Sequence, residues 1–159
     1  MTVEYQTLRN NFYSAKEGAL NFKSAKDVYE EIGYDYETLI GQDTRFKNTC
    51  AVRMNLALFK SGIFVQGGFE IKKGIFKGKK VETNAYELAK RLKEEWGTPV
   101  TFSGNHLPEI TGRKGLILFM NIPGYSGSGH IDLIDASSGE ECGTECYFNA
   151  GEKWFWPLT

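Results

Sequence analysis

The stretch "FKNTCAVRMNLALF", residues 46–59, decides how this chain is read. Asn48 and Thr49 are residues that favour helix N-caps, and an apolar run follows them. A helix is therefore expected from Cys50 to about Ser61, stopping near Gly62. Ala51, Val52, Met54, Leu56, Ala57, Leu58 and Phe59 would cover most of its circumference, interrupted only by Arg53, Asn55 and Lys60. A helix apolar almost all round belongs at the centre of a fold. Cys50 opens it. A thiol there meets unpaired backbone N–H groups and the positive end of the helix dipole, which favour the thiolate and so a nucleophile. The same position also suits a small apolar residue that only packs.

Outward from this helix the chain divides into helices first and strands second. Residues 5–16 read as a short helix with Leu8, Phe12 and Ala15 on one face. "SAKDVYEEIG" reads as a second, capped by Ser24 and stopped by Gly33. Residues 34–49 read as loop. The glycine-punctuated stretch "GIFVQGGFEIKKGIFKGKKVET" reads as irregular or hairpin structure whose lysines form a solvated face or receive an acidic group. "TNAYELAKRLKEEWG" is amphipathic, with Asn84 and Glu87 in a capping-box spacing and Ala85, Leu88, Ala89, Leu92 and Trp96 turned inward. Then come "GLILFMNI" (115–122), of buried-strand length, "HIDLID" (130–135), which alternates, and a terminal strand "KWFWPL" (153–158). This order implies an α+β fold: a buried helix from the first half of the chain, carrying the cysteine, packed on an antiparallel sheet. At 159 residues, with no repeat, linker or low-complexity tract, the chain reads as one domain over 1–159.

Composition narrows the function. Nineteen basic and twenty acidic side chains leave a net charge of −1, so nucleic acid is not expected as the main partner. No apolar run approaches the ~20 residues of a membrane span, so membrane insertion is not expected. The first residues lack the apolar core of a secretory signal. The aromatic share, 14%, suits many strands or a ring-lined groove. Cys142 and Cys146, in "CGTEC", leave three readings open: a metal site, two free thiols, or a local disulfide in an oxidising compartment. With two histidines in the chain, a zinc site is the weakest of these, and no metal or cofactor is expected.

His130 opens a strand just after a glycine-rich loop, and Gly127 and Gly129 would leave room around its ring for a substrate. A helix packed on a sheet can bring Cys50 and His130 together, the imidazole acting as general base and later as acid. The other histidine, His106, reads as a surface residue. Such a pair commonly has a third group that orients the ring. Asp132 shares the face of His130 but lies on the same strand. Asp135 faces away. Glu141 and Glu145 lie on the returning segment, which is the favoured source of a carboxylate.

"NTCAVRMNLAL", "RKGLILF", "GHIDLID", "CGTEC" followed by "YF", and the closing "WFWPL" together resemble the fourth family of type VI secretion amidase effectors. The resemblance runs over roughly residues 45–159, with five short motifs in register. It implies an NlpC-type, papain-like cysteine amidase with Cys50 as nucleophile and His130 as base. The substrate would be the peptidoglycan stem peptide, cut between γ-D-glutamate and meso-diaminopimelate. It also implies delivery by the type VI apparatus without a signal peptide, action in the periplasm of target bacteria, and a cognate immunity protein. The periplasm would permit a Cys142–Cys146 disulfide. The family places an aspartate near the cysteine pair. Here the nearest acid is Glu145, which the resemblance puts forward as the third catalytic residue, with Asp132, or a Cys–His dyad without a third group, as the alternatives. Arg53, one turn beyond Cys50, would pair with a substrate carboxylate or a structural one. Two rivals stand beside this reading: a papain-like enzyme cutting another wall bond, and a non-catalytic wall- or partner-binding domain in which Cys50 packs.

Overall fold

The computed structural model describes residues 3–104, 108–125, 127–137, 139 and 141–159. Three short helices come first: α1 (Tyr5–Asn10), α2 (Ala25–Glu31) and α3 (Tyr36–Gln42), followed by a 3-10 turn at Thr44–Lys47. The Ser24 side chain caps α2 by accepting from the Asp27 N–H, and Asp35 caps α3 in the same way at Thr38. The expected loop over 34–49 is thus partly helical. Asp35 and Asp43 are the local signals for this, each a short acceptor three or two residues before the N–H it binds. The first helix is shorter than expected, because the chain turns at Asn11 and Phe12.

The central helix, α4, runs Cys50–Lys60, close to its expected limits. Every residue from Cys50 to Phe59 is buried. The reason is that α4 has neighbours on both sides. Ala51, Met54, Ala57 and Leu58 join the core shared with the sheet, while Val52, Leu56 and Phe59 join a second core with Val28, Tyr29, Ile32 and Leu39. A small antiparallel ribbon, β1 (Phe69–Glu70) with β2 (Lys80–Val81), closes that second core. Helix α5 (Ala85–Trp96) follows, capped by Asn84 at the Glu87 N–H, with Ala85, Leu88, Ala89 and Leu92 buried as the spacing predicts.

The main sheet is antiparallel, in the order β3 (Val100–Phe102), β7 (Glu152–Leu158), β4 (Lys114–Met120), β5 (His130–Asp135), β6 (Glu141–Cys142). Leu116, Leu118, Ile131, Leu133, Trp154 and Trp156 face α4 and α5, and Ile117, Phe119, Ile134 and Phe155 build a smaller core on the other face. The mixed α+β organisation expected from the order of elements is the one observed. On β7, Lys153 is fully buried, and its ammonium donates to the carbonyls of Ser103, Gly104 and Ala150 at 3.3, 2.9 and 2.8 Å. Two short strands, β3 and β6, were not legible in the pattern, since segments this short carry little alternation.

Candidate active site

Cys50 is the first residue of α4 and is 7% exposed. Its S–H donates to the Gly129 carbonyl at 3.8 Å, which brings the helix start against the residue preceding β5. Thr49 precedes the helix but does not cap it. Its hydroxyl oxygen accepts from Arg53 Nε at 2.7 Å instead, which leaves the first N–H groups of α4 unclaimed by that side chain. Gly129 has φ +115°, and a Cβ there would lie 2.6 Å from the Phe119 carbonyl oxygen. Only glycine fits that approach.

His130 Nε2 lies 2.7 Å from Asp132 Oδ2, with Asp132 fully buried. The ring sits among aromatic rings, stacked on Phe119 at 6.2 Å and edge-on to Tyr147 at 5.1 Å between centroids. Burial of the ring opposes its charge. The Asp132 carboxylate, with a hydrogen bond and a charge interaction from Cys50, outweighs that burial and raises the His130 pKa from 6.5 to about 10. With Nε2 engaged by Asp132, Nδ1 is the nitrogen left for the thiol.

Asp132 is held from several sides. Its Oδ1 accepts from the N–H of Leu133 at 2.8 Å, and its carboxylate also accepts from the N–H groups of Thr144 and Glu145, at 3.0 and 2.9 Å to Oδ2. The last two belong to the returning segment. That segment is closed by a Cys142–Cys146 disulfide, with Cα atoms 5.4 Å apart, which excludes both the free-thiol and the zinc readings of this pair. It is also clamped from the N-terminal segment, where Ser14 Oγ donates to the Gly143 carbonyl at 2.6 Å and the Ala15 N–H donates to Thr144 Oγ1 at 3.1 Å. A Cβ on Gly143 would stand 2.8 Å from the Phe12 ring and 2.9 Å from Asp132 Oδ1.

The carboxylate expected beside His130 from Glu145 is therefore not the one found there. Glu145 turns its carboxylate to the Tyr147 hydroxyl, which donates at 3.1 Å, and contributes only its backbone N–H to the site. Glu141 is exposed on β6 opposite Asp135, and Asp135 accepts from Ser137. The returning segment does reach the site, but with amide donors rather than an acid. Arg53, placed by sequence near a carboxylate, is 2% exposed and donates to the carbonyls of Tyr13, Ser14 and Lys23. It ties residues 13–23 to α4, and burial lowers its pKa to about 10. His106 lies outside the described residues.

A cleft of about 820 Å³ is lined by Asn84 and by Phe46, Asn48, Tyr125, Gly127 and Ser128, the neighbours of Cys50 and His130 in the chain, and not by Cys50, His130 or Asp132 themselves. Gly127 was expected to leave space for substrate. That space is filled by the protein itself, because a Cβ would meet Asn48 Nδ2 at 2.5 Å and the Tyr125 ring at 2.8 Å. The Asn48 side chain shares this space with the Tyr125 ring and donates to the Gly129 carbonyl at 3.5 Å. The Tyr125 pKa is pushed upward by burial first and by the Cys50 charge second, so its phenol stays protonated. The sequence marks Asn48 only as a helix-cap candidate and Tyr125 not at all. Both stand two to five residues before a candidate catalytic residue, and nothing in that spacing distinguishes them.

The arrangement is that of a thiol, an imidazole and a carboxylate in series at a cleft. The family model of the type VI secretion system amidase effector protein 4, Tae4, matches residues 46–156. The chain belongs to the Tae4 family. Its fold agrees with solved Tae4 structures. The Tae4–Tai4 effector–immunity complex from Enterobacter cloacae matches at 21% identity and TM-score 0.70, over 100% of both chains. Tae4 from the same organism matches at 22% and 0.70, over 100% of this chain and 98% of that one. The Tae4–Tai4 complex from Salmonella Typhimurium matches at 18% and 0.66, covering 98% and 95%. No curated protein sequence gives a significant match. At these identities the structural likeness speaks to fold alone, and it extends over the N-terminal segment that the family model leaves out. As a Tae4-family member the chain is an amidase effector of type VI secretion. No helix among its described residues is long and apolar enough to cross a membrane.

Proposed function

We propose that this protein is an NlpC-type, papain-like cysteine amidase of the peptidoglycan stem peptide, with residues 1–159 acting as one domain. The bond cut is that between γ-D-glutamate and meso-diaminopimelate. The protein is delivered by the type VI apparatus, acts in the periplasm of target bacteria, and is neutralised in its producer by a cognate immunity protein. The observation that carries the enzymatic reading is the series Cys50, His130, Asp132 beside the cleft, with His130 bonded to Asp132 and interacting with Cys50. Family membership and the sequence resemblance supply the substrate.

His130 is set to hold the proton that the Cys50 thiol gives up. The sulfur attacks the γ-glutamyl carbonyl carbon, a C–S bond forms, and the carbonyl electron pair moves to oxygen. That oxyanion is met by the Cys50 backbone N–H and by the Tyr125 O–H, whose phenol stays protonated. Collapse of the intermediate breaks the C–N bond, and His130 gives its proton to the departing diaminopimelate amine. Water then attacks the thioester, His130 takes its proton, and the glutamate carboxylate leaves with the thiol restored. Asp132 keeps the ring oriented throughout. Glu145, the third residue expected from sequence, acts only through its backbone.

The test is mass spectrometry of purified peptidoglycan fragments incubated with the parent protein and with Cys50→Ala. Products split after γ-D-glutamate with the parent alone support the proposal. Products at a different bond overturn the specificity, and no products with either protein overturn the enzymatic reading.

A further inference from the structure

The ribbon between α4 and α5 carries a feature that the amidase reading does not use. Residues 70–80 read "EIKKGIFKGKK", with five lysines and one acid, in a chain whose net charge is −1. At its tip Ile75 is 88% exposed, the most exposed large apolar side chain among the described residues, and Phe64 beside the ribbon is 50% exposed. The tip is built rather than frayed. Gly78 N–H donates to the Ile71 carbonyl and Ile71 N–H to the Lys79 carbonyl, both at 2.8 Å, and Lys77 N–H returns to Gly74. The Lys72 N–H fastens the base to the Ile32 carbonyl at 2.9 Å. Gly74 and Gly78 take φ of +88° and +91°, which the tight turn requires.

The lysines are not spent on the protein. Lys72 has a long contact of 3.9 Å to Glu70, Lys79 lies over the Phe64 ring at 4.5 Å, and Lys73, Lys77 and Lys80 make no ion pair among the described residues. An apolar residue held out on a hydrogen-bonded turn, with Lys73 and Lys77 two residues to either side, gains nothing from water. A hydrated carboxylate polymer would use the lysines but not Ile75. The boundary of an anionic bilayer uses both, since headgroup phosphates attract the lysines and the isoleucine enters the acyl margin.

We propose that the 70–80 turn docks the protein peripherally on an anionic phospholipid surface, with Ile75 entering the headgroup boundary and Lys73, Lys77 and Lys80 on the phosphates. No span is involved. Two residues past β2, Thr83 and Asn84 line the cleft next to the Cys50 helix start, so docking would hold that cleft near a bilayer face. The proposal does not depend on the amidase reading.

Sedimentation with vesicles tests it. The full chain should pellet with phosphatidylcholine vesicles containing about one third phosphatidylglycerol and stay in solution with pure phosphatidylcholine. Replacing Lys73, Lys77 and Lys80 by Gln should weaken binding at least tenfold, since each lysine near such a surface is worth about fivefold. Ile75→Ser should weaken it severalfold at unchanged charge. Both variants should keep the parent's thermal melt, because the exchanged side chains are exposed. No pelleting, equal pelleting on neutral vesicles, or indifference to the lysines overturns the proposal. Loss with the lysines but indifference to Ile75 overturns docking of the tip. Loss of binding to purified wall sacculi with unchanged vesicle binding in the lysine variant makes the wall the occupant, and also overturns it.

Discussion

His130 and Asp132 stand on one face of β5, and their Nε2 and Oδ2 atoms are 2.7 Å apart inside the protein. Same-face neighbours on a strand have Cα atoms about 7 Å apart. An imidazole and a carboxylate leaning toward each other span that distance, so no second strand is needed to supply the acid. What the second strand and its turn supply is three-dimensional support for the carboxylate.

This relationship sets Asp132 against Glu145. Asp132→Asn should lower kcat by roughly 10³–10⁴-fold, as loss of a ring-orienting carboxylate does elsewhere. Glu145→Gln, whose backbone N–H remains, should keep activity within about threefold of the parent. Steady-state rates on a purified stem-peptide fragment decide it. The reverse ranking would assign the role to Glu145 after all.

Tyr125→Phe removes one hydroxyl at the cleft and leaves the ring that packs on Tyr147 at 5.5 Å. If that hydroxyl meets the oxyanion, kcat should fall about 10²-fold with KM little changed. A change confined to KM would make Tyr125 a binding residue instead.

The raised His130 pKa has a sign that can be worked through. In the folded state the ring stays protonated up to about 10, whereas an unfolded histidine loses its proton near 6.5. Between those values the folded state binds the extra proton. The resulting stabilisation is complete below 6.5 and is lost as pH rises toward 10. The gap in melting temperature between the parent and His130→Gln should therefore shrink across this interval. A gap that widens with rising pH would mean that the ring is buried neutral.

The Cys142–Cys146 bridge closes a short loop, so its chain-entropy contribution is about 2 kcal/mol. Reduction should lower the melting temperature by roughly 4–8 °C. Because Thr144 and Glu145 within that loop hold Asp132, activity assayed well below the melt should fall as well. Intact mass before and after reduction, paired with melting and rate measurements, checks both. An unchanged melt with two free thiols before reduction would remove the bridge from the account.

Sequence alone determined the elements whose signals are local. The α4 segment had to be central because its apolar residues leave no face for water. The α5 helix followed from its stripe and cap, β4 and β5 from an apolar run and an alternation, and the α+β class from their order. Cys50 and His130 stand out as candidates because each opens such an element. The α3 helix carries no strong local signal because it buries little and depends on a single aspartate cap, and neither do β3 and β6, since two or three residues hold no period. Tertiary structure alone decided which groups complete the site. The choice of Asp132 over Glu145 depends on side-chain reach and on where a disulfide-closed turn aims its N–H groups. The same is true of Arg53, spent on the carbonyls of residues 13–23, and of Gly127, which makes room for Asn48 and Tyr125. These are contacts between segments up to 129 residues apart, and no local pattern encodes a distance of that kind.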